Sequence, residues 1–260
     1  MASKGKQLEA MNQDSVKEEM VYGIRPLTEA LRAGRMPDRV MIRKGMTGEG
    51  TRELIELLSQ HRIPLQHVPE AKLNRITRQN HQGVVGFLSL VEYADVDEVI
   101  AKAWDEGREP FLVMLDRITD VRNFGAIARS AECAGADALV VPEKGGARIS
   151  PDAIKASAGA LMRIAVCRSP NLFKTAVSIL EQGLTLVAAS EKGQFTYHDA
   201  QLTGPVCVVL GSEKDGVSSP LLKMSSARIT IPQYGTIGSL NVSVAAGIIL
   251  FEAARQRNKK

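Results

Sequence analysis

Apolar positions change period along this chain, and the changes mark its elements. Residues 1–20 are polar and charged without a sustained apolar period, which reads as a flexible N-terminal extension. From Tyr22 short alternating segments begin. Pro26 to Ala33 has helical spacing, with proline near the first turn and Gly34 as the stop. Arg39 to Lys44 reads as a strand. Thr51 to Gln60 reads as an amphipathic helix carrying Leu54, Ile55, Leu57 and Leu58. Gln66 to Val68 and Val84 to Leu90 read as further strands, giving a small α/β unit over residues 21–93.

Residues 94–108 are acidic and polar around a short helical pattern, and Gly107 and Pro110 punctuate their end; the linker is placed there. A second unit fills 109–260. Phe111 to Asp116 is apolar and short enough to be a strand buried on both faces. Ala138 to Val141, Ile164 to Cys167, Thr185 to Ala189, Val206 to Leu210 and Arg228 to Ile231 repeat that pattern. Between and after them, Asn123 to Ala134, Ala153 to Ala158, Leu172 to Gln182 and Val242 to Arg257 have helical spacing. Strands alternating with helices predict a mostly parallel sheet covered on both faces. Ligands of such sheets bind outside the carboxyl ends of the strands.

Composition narrows the function classes. The chain has 260 residues, 44% hydrophobic and 24% charged, with formal net charge +4. A pI near 9.0 permits a nucleic-acid partner without requiring one. Cys133, Cys167 and Cys207 form no CxxC pair, which argues against a disulfide framework and for a reducing compartment. His61, His67, His81 and His198 lack metal-ligand spacing, so no metal is expected. No apolar run reaches the roughly 18 residues of a membrane span. The start of the chain lacks an apolar signal core, so a cytoplasmic location is expected, with no membrane partner. No strand leads into GxGxxG and there is no P-loop, so a nucleotide-like cofactor would bind by another geometry.

Three segments stand just after predicted strands or open a helix. They are Asn123-Phe124-Gly125-Ala126-Ile127-Ala128-Arg129-Ser130-Ala131, Leu210-Gly211-Ser212-Glu213-Lys214-Asp215-Gly216-Val217-Ser218, and Ser239-Leu240-Asn241-Val242-Ser243-Val244-Ala245-Ala246-Gly247. Read locally, Asn123 is a helix N-cap beside a solvated Arg129, Glu213 is a surface carboxylate, and Ser239, Asn241 and Ser243 cap the last helix. Ile231 and Leu240 suit an ordinary core. Together, in this order, the three segments resemble the signature motifs of the SpoU branch of the SPOUT RNA 2′-O-methyltransferases. The resemblance covers about residues 20–255 and is most specific over 111–250.

That resemblance implies a C-terminal α/β domain with a deep trefoil knot that binds S-adenosyl-L-methionine. Gly211, Ile231 and Leu240 match the cofactor-binding positions; Asn123, Arg129, Glu213, Ser239 and Asn241 match the catalytic centre. The family proposal has the arginine activate the ribose 2′-hydroxyl. Arginine stays protonated in proteins, and deprotonating it near neutral pH costs about 7 kcal/mol. A protonated Arg129 that orients the hydroxyl and a phosphate needs no such cost. The resemblance also implies a homodimer through the last helix and the first-motif helix.

Tyr22-Gly23-Ile24-Arg25-Pro26-Leu27-Thr28-Glu29-Ala30-Leu31 resembles the N-terminal substrate domain of bacterial enzymes that methylate a 23S rRNA guanosine, a ribosomal-protein-like α/β sandwich. Asn80-His81-Gln82-Gly83-Val84-Val85-Gly86 matches a family stretch too, although a turn before a strand explains it as well. The small basic excess of this unit, including Arg25, Arg32, Arg35, Arg75 and Arg78, suits phosphate contacts or solvated helix faces. The expectation is therefore ribose 2′-O-methylation of 23S rRNA. Its rivals are a tRNA ribose 2′-O-methyltransferase, a non-catalytic RNA-binding ribosome-assembly protein, and an oxidoreductase, which lacks its glycine fingerprint.

Overall fold

A computed structural model describes residues 19–258. The chain divides after Leu90 into two units. Most of the expected extension, residues 1–18, lies outside the described residues. Glu19 and Met20 do not belong to an extension: Glu19 pairs with Arg35 at 2.7 Å, and Met20 opens the first strand.

The first unit runs β1 (Met20–Tyr22), α1 (Ile24–Arg32), β2 (Pro37–Arg43), α2 (Glu49–Gln60), β3 (Leu65–Val68), α3 (Glu70–Ile76) and β4 (Val84–Leu88). Its sheet has the order β1-β4-β2-β3, with β4 antiparallel to both neighbours and β3 parallel to β2. Successive strand side chains point to opposite faces, and the core divides accordingly. Val40 and Ile42 pack with Leu27, Leu31, Leu54 and Leu58 of α1 and α2. Met41, Val85 and Phe87 pack on the other face with Leu73 of α3. The sequence pattern misses α3 because it spans seven residues and buries only Leu73, too few apolar positions to show a period.

The second unit has β5 (Tyr93–Ala94), α4 (Val96–Asp105), β6 (Phe111–Asp116), α5 (Val121–Cys133), β7 (Ala138–Pro142), α6 (Pro151–Ala156), β8 (Ala165–Ser169), α7 (Leu172–Glu181), β9 (Thr185–Ala189), β10 (Phe195–Thr196), β11 (Val206–Gly211), α8 (Ser219–Met224), β12 (Ala227–Thr230) and α9 (Val242–Arg257). The sheet order is β10-β12-β9-β11-β6-β7-β8-β5, and every pairing is parallel. All residues of the central β6 and β11 are buried, which is why they read as unbroken apolar runs.

The span 94–108 is not a linker. Tyr93 and Ala94 pair with β8, Asp95 caps α4 through the Asp97 amide, and Ile100 and Ala103 are buried. The acidic surface residues of α4 mask this short apolar face in the sequence. No helix among the described residues is long and apolar enough to cross a membrane.

Two contacts fix the helices that flank the carboxyl rim of the sheet. Gly125 lets α5 lie against α6: a Cβ there would sit 2.8 Å from the Ala153 carbonyl oxygen and 2.9 Å from the Ser157 nitrogen. At the far end of α9, the Gln256 amide accepts from the Leu202 N–H at 2.8 Å and donates to the Ala200 carbonyl at 3.0 Å. Arg257 donates to the Gly204 and Glu109 carbonyls and lies 5.2 Å from the Phe111 ring centroid.

Helix propensity alone favours Gly125→Ala by about 1 kcal/mol. Here the methyl meets backbone that cannot rotate away, and overpacking costs about 1–3 kcal/mol. The expected result is a variant destabilised by roughly 1–2 kcal/mol in urea unfolding. A stabilised variant would refute the close approach of α5 and α6.

Candidate active site

Asp120 decides how α5 begins. Its carboxylate accepts from the Arg122 and Asn123 backbone N–H groups at 2.8 and 2.9 Å, so Asp120 is the N-cap and Asn123 lies inside the first turn. The local reading of Asn123 as the cap is thereby corrected, and its side chain is left available. Asn123 Nδ2 donates to Glu213 Oε1, on the loop after β11. Asn241, before α9, donates through Nδ2 to Asn123 Oδ1 at 3.0 Å and, more loosely, to Glu213 Oε1 at 3.5 Å. Its own Oδ1 accepts from the Ser243 N–H at 2.9 Å and the Ser243 hydroxyl at 2.6 Å. Asn241 therefore caps α9 with one end of its amide and joins the site with the other.

These partners fix every orientation in the network. A carboxylate only accepts, so both Asn nitrogens face Glu213 and both Asn oxygens face elsewhere. The first turn of α5, the loop after β11 and the loop before α9 are thus joined at one carboxylate oxygen.

Beside the network is a cavity of about 580 Å³. Gly211, Ile231 and Leu240 line it, together with Glu213, Ser239 and Asn241. Gly211 is required by packing: a Cβ there would collide with the Gly216 carbonyl carbon and the Val217 nitrogen, where the loop folds back on the strand end. Leu240 is 38% exposed and Ile231 half-buried, so neither is the closed core residue that the local reading offered. Ser239 is exposed and hydrogen-bonds to none of Asn123, Glu213 or Asn241. Arg129 lies six residues after Asn123 on α5, roughly 240° around the helix. It is exposed and makes no hydrogen bond or ion pair among the described residues. The structure therefore brings Asn123, Glu213 and Asn241 together, puts Ser239 on the same cavity, and leaves Arg129 outside the network.

A second set of residues holds the Glu213 loop and was missed in the sequence. Asp116, the last residue of β6, is 4% exposed; its Oδ2 accepts from the Ser218 N–H at 2.6 Å. Arg117 follows in the left-handed region at φ +62°. Its guanidinium reaches Asp116 Oδ1 at 3.3 Å, Asp215 Oδ2 at 3.4 Å and the Gly216 carbonyl at 3.0 Å. A carboxylate closing a buried apolar strand is itself a signal, because it needs a partner. The left-handed backbone of Arg117 leaves no such mark in the sequence.

No cluster of three or more metal-ligating side chains occurs among the described residues. Burial pushes the Cys167 and Cys207 thiols up to about 12, so neither supplies a thiolate nucleophile. The arrangement offers acceptors and amides beside a cavity, which is equipment for binding and orienting.

Comparison with known proteins identifies the family. The model of the SpoU rRNA Methylase family matches residues 110–251, and that of the RNA 2′-O ribose methyltransferase substrate-binding domain matches 20–94. The putative TrmH family tRNA/rRNA methyltransferase YacO of Bacillus subtilis is 30% identical over 244 residues, covering 94% of this chain and 98% of that protein. The AdoMet-bound rRNA methyltransferase from Sinorhizobium meliloti superposes with a TM-score of 0.59 at 26% identity, over 98% of this chain and 95% of that one. The A. aeolicus TrmH/SpoU tRNA modifying enzyme gives a TM-score of 0.54 at 30% identity, over 58% of this chain and 77% of its own.

Arg117→Gly separates loop anchoring from backbone strain. Glycine relieves a left-handed cost of about 1–2 kcal/mol, offset by the exposed Asp215 pair, which contributes about 0–1 kcal/mol, and by the 3.3 Å contact with buried Asp116, whose carboxylate keeps the Ser218 N–H. Global stability should change by less than about 1 kcal/mol, while amide hydrogen exchange at Asp215, Gly216 and Ser218 accelerates. Unaltered exchange at those amides would show that Arg117 does not hold the loop.

Proposed function

The chain belongs to the SpoU family of RNA 2′-O-ribose methyltransferases, and on that premise we propose that it methylates the ribose of a guanosine in 23S rRNA with S-adenosyl-L-methionine. The observation that carries the reading is the Asn123–Glu213–Asn241 network on the cavity lined by Gly211, Ile231 and Leu240. The preference for rRNA over tRNA rests on extent. The rRNA methyltransferase relative matches nearly the whole chain, whereas the tRNA modifying relative matches 58% of it. The substrate-binding match at residues 20–94 supports RNA as the partner.

The residues present fit the cofactor. The cavity volume lies within the range usual for small-molecule sites, about 300–1,000 Å³. Leu210, Ile229, Ile231, Leu240 and Val242 supply apolar walls, and Gly211 lies at the strand end on the same cavity. Bound there, S-adenosyl-L-methionine supplies an electrophilic methyl group on a sulfonium. The knot expected of this family belongs to the same reading.

What this chain contributes is orientation. The ribose 2′-oxygen must approach the methyl carbon in line, and positioning of this kind can supply several kcal/mol of the barrier reduction. Arg129, protonated and unpaired, is suited to hold an RNA phosphate and to stabilise charge developing on the 2′-oxygen. Asn123, Asn241 and Ser239 supply amide and hydroxyl groups for the ribose, the last two from the wall of the cavity. Glu213 holds the two asparagines in register. It makes no contact with Arg129 among the described residues, so it is not that residue's holder.

Assembly as a homodimer in the cytoplasm completes the proposal. Val244 and Phe251 are about half exposed and share one face of α9 with Ile248, while Ala246, Ile249, Leu250 and Ala253 on the opposite face are buried. A half-exposed apolar stripe on a helix already packed elsewhere suits a second copy. Light scattering should give a dimer for the full chain at micromolar concentration and a monomer for Phe251→Asp. A monomeric parent chain would overturn this.

The activity is tested with full-length protein and rRNA from a strain lacking the gene. Mapping should show one new 2′-O-methyl group in 23S rRNA and none in tRNA. Arg129→Ala should lose roughly 10²–10³ in rate, and Arg129→Lys should stay poor because it lacks the planar fork. Cofactor affinity by calorimetry should be unchanged in both. Methylation confined to tRNA would overturn the rRNA assignment, and near-normal turnover of Arg129→Ala would remove that residue from the mechanism.

A further inference from the structure

The turn between α3 and β4 encloses a polar hollow of about 430 Å³ within the first unit. Its lining includes Arg43, Asn74, Gln79, Asn80, His81 and Gln82. A two-residue turn before β4, closed by the Val84 N–H on the His81 carbonyl at 2.8 Å, explains the positive φ of both Gln82 (+48°) and Gly83 (+82°). It does not explain the rest. His81 is 7% exposed, and both ring nitrogens are engaged: Nδ1 accepts from the Gly83 N–H at 3.0 Å and Nε2 meets Asn74 Oδ1 at 2.8 Å. Since Nδ1 accepts, Nε2 carries the proton and donates. The loop is thereby pinned from inside by a neutral imidazole, and the Asn74 oxygen is fixed with it.

On this pinned loop the side-chain amides of Gln79, Asn80 and Gln82 are exposed and hydrogen-bond to nothing among the described residues. Each presents a donor and an acceptor in one plane, the pattern that pairs with the edge of a nucleobase. The hollow is poorly suited to phosphate, because its arginine, Arg43, is already paired with Glu70 at 3.3 Å. Cations suited to phosphate adjoin its lining residues in the chain: Arg75 follows Asn74, Arg78 precedes Gln79, and both are exposed and unpaired among the described residues. In an RNA duplex the major groove is too deep and narrow for side chains and the shallow minor groove is read mostly by shape, so edge reading by amides points to an unpaired base.

From this we infer that the hollow is a subsite for an unpaired RNA nucleotide, with Asn80 and Gln82 reading the base edge, Arg75 and Arg78 holding adjacent phosphates, and His81 positioning the loop. The inference rests on the reading of the chain as an RNA methyltransferase and assigns the selection of RNA sequence to a site separate from the methyl-transfer network.

The test uses the full chain and fluorescence anisotropy with short single-stranded A, C and U homopolymer RNAs and an RNA duplex of equal length, over a range of salt. The parent chain should prefer single strands and favour one homopolymer by roughly tenfold. Asn80→Ala combined with Gln82→Ala should abolish that preference and leave the salt dependence unchanged, because amides displace no counterions. Arg75→Ala combined with Arg78→Ala should weaken binding of all the single strands alike and flatten the salt dependence. Equal affinity of the parent chain for all the homopolymers overturns the proposal. So does a preference that survives the amide substitutions, or an amide variant with a flattened salt dependence. Binding of S-adenosyl-L-methionine is measured in parallel on the same proteins. Its loss from the parent chain would count against the methyltransferase reading, whereas intact cofactor binding without base preference would count against the hollow alone.

Discussion

One carboxylate oxygen, Glu213 Oε1, orders the site. It accepts from Asn123, 90 residues earlier, and from Asn241, 28 residues later. Bonds to an ionised acceptor are about twice as strong as those between neutral groups. They also fix sense: with both nitrogens committed to the carboxylate, Asn241 must present its oxygen to Ser243, and that bond caps α9. Helix start and site geometry are therefore consequences of the same acceptor. A network of this kind loses its logic when half satisfied, because each remaining amide then faces a group of the wrong polarity.

Such an acceptor is useful only if its loop is stiff, and the stiffness comes from backbone packing. Gly211 admits the returning chain at Gly216 and Val217, so the strand end and loop share a contact that no side chain could occupy. Asp116 ties the same loop from β6 by accepting the Ser218 N–H, and Arg117 spans from Asp116 to Gly216. At the opposite end of α9, Gln256 and Arg257 bond to backbone carbonyls. The last helix is thus held at both ends by groups that belong to distant parts of the sequence.

How much of this was legible follows from the kind of interaction. Strands such as Phe111–Asp116 and Val206–Gly211 were legible because burial on both faces leaves an unbroken apolar run. The span 94–108 was misread because Ile100 and Ala103 are two buried positions among charges, and local polarity outweighed them. The start of α5 was misplaced because Asn123 and Asp120 are both good caps, and only the fold shows which oxygen meets the free amides. Asn123, Glu213 and Asn241 were singled out through family resemblance; their hydrogen bonds span 90 and 118 residues and follow from no local rule. Arg117 escaped entirely, since a left-handed arginine looks like any other arginine in a loop.

Pairing also sorts the basic residues of the first unit, which composition treats alike. Arg32 bonds Glu29 and Glu53, and Arg35 bonds Glu19. Arg25, Arg75 and Arg78 are exposed and unpaired among the described residues. An arginine with a carboxylate partner must release it before taking a phosphate, so its net gain on binding RNA is smaller. An unpaired one exchanges only water and gains from counterion release in full. A modest charge excess can in this way define a local phosphate track, because Glu19, Glu29 and Glu53 silence two of the cations. The unpaired Arg75 and Arg78 adjoin a loop whose amides have no other partners, so in this unit charge would set where RNA rests and the amides which base is admitted.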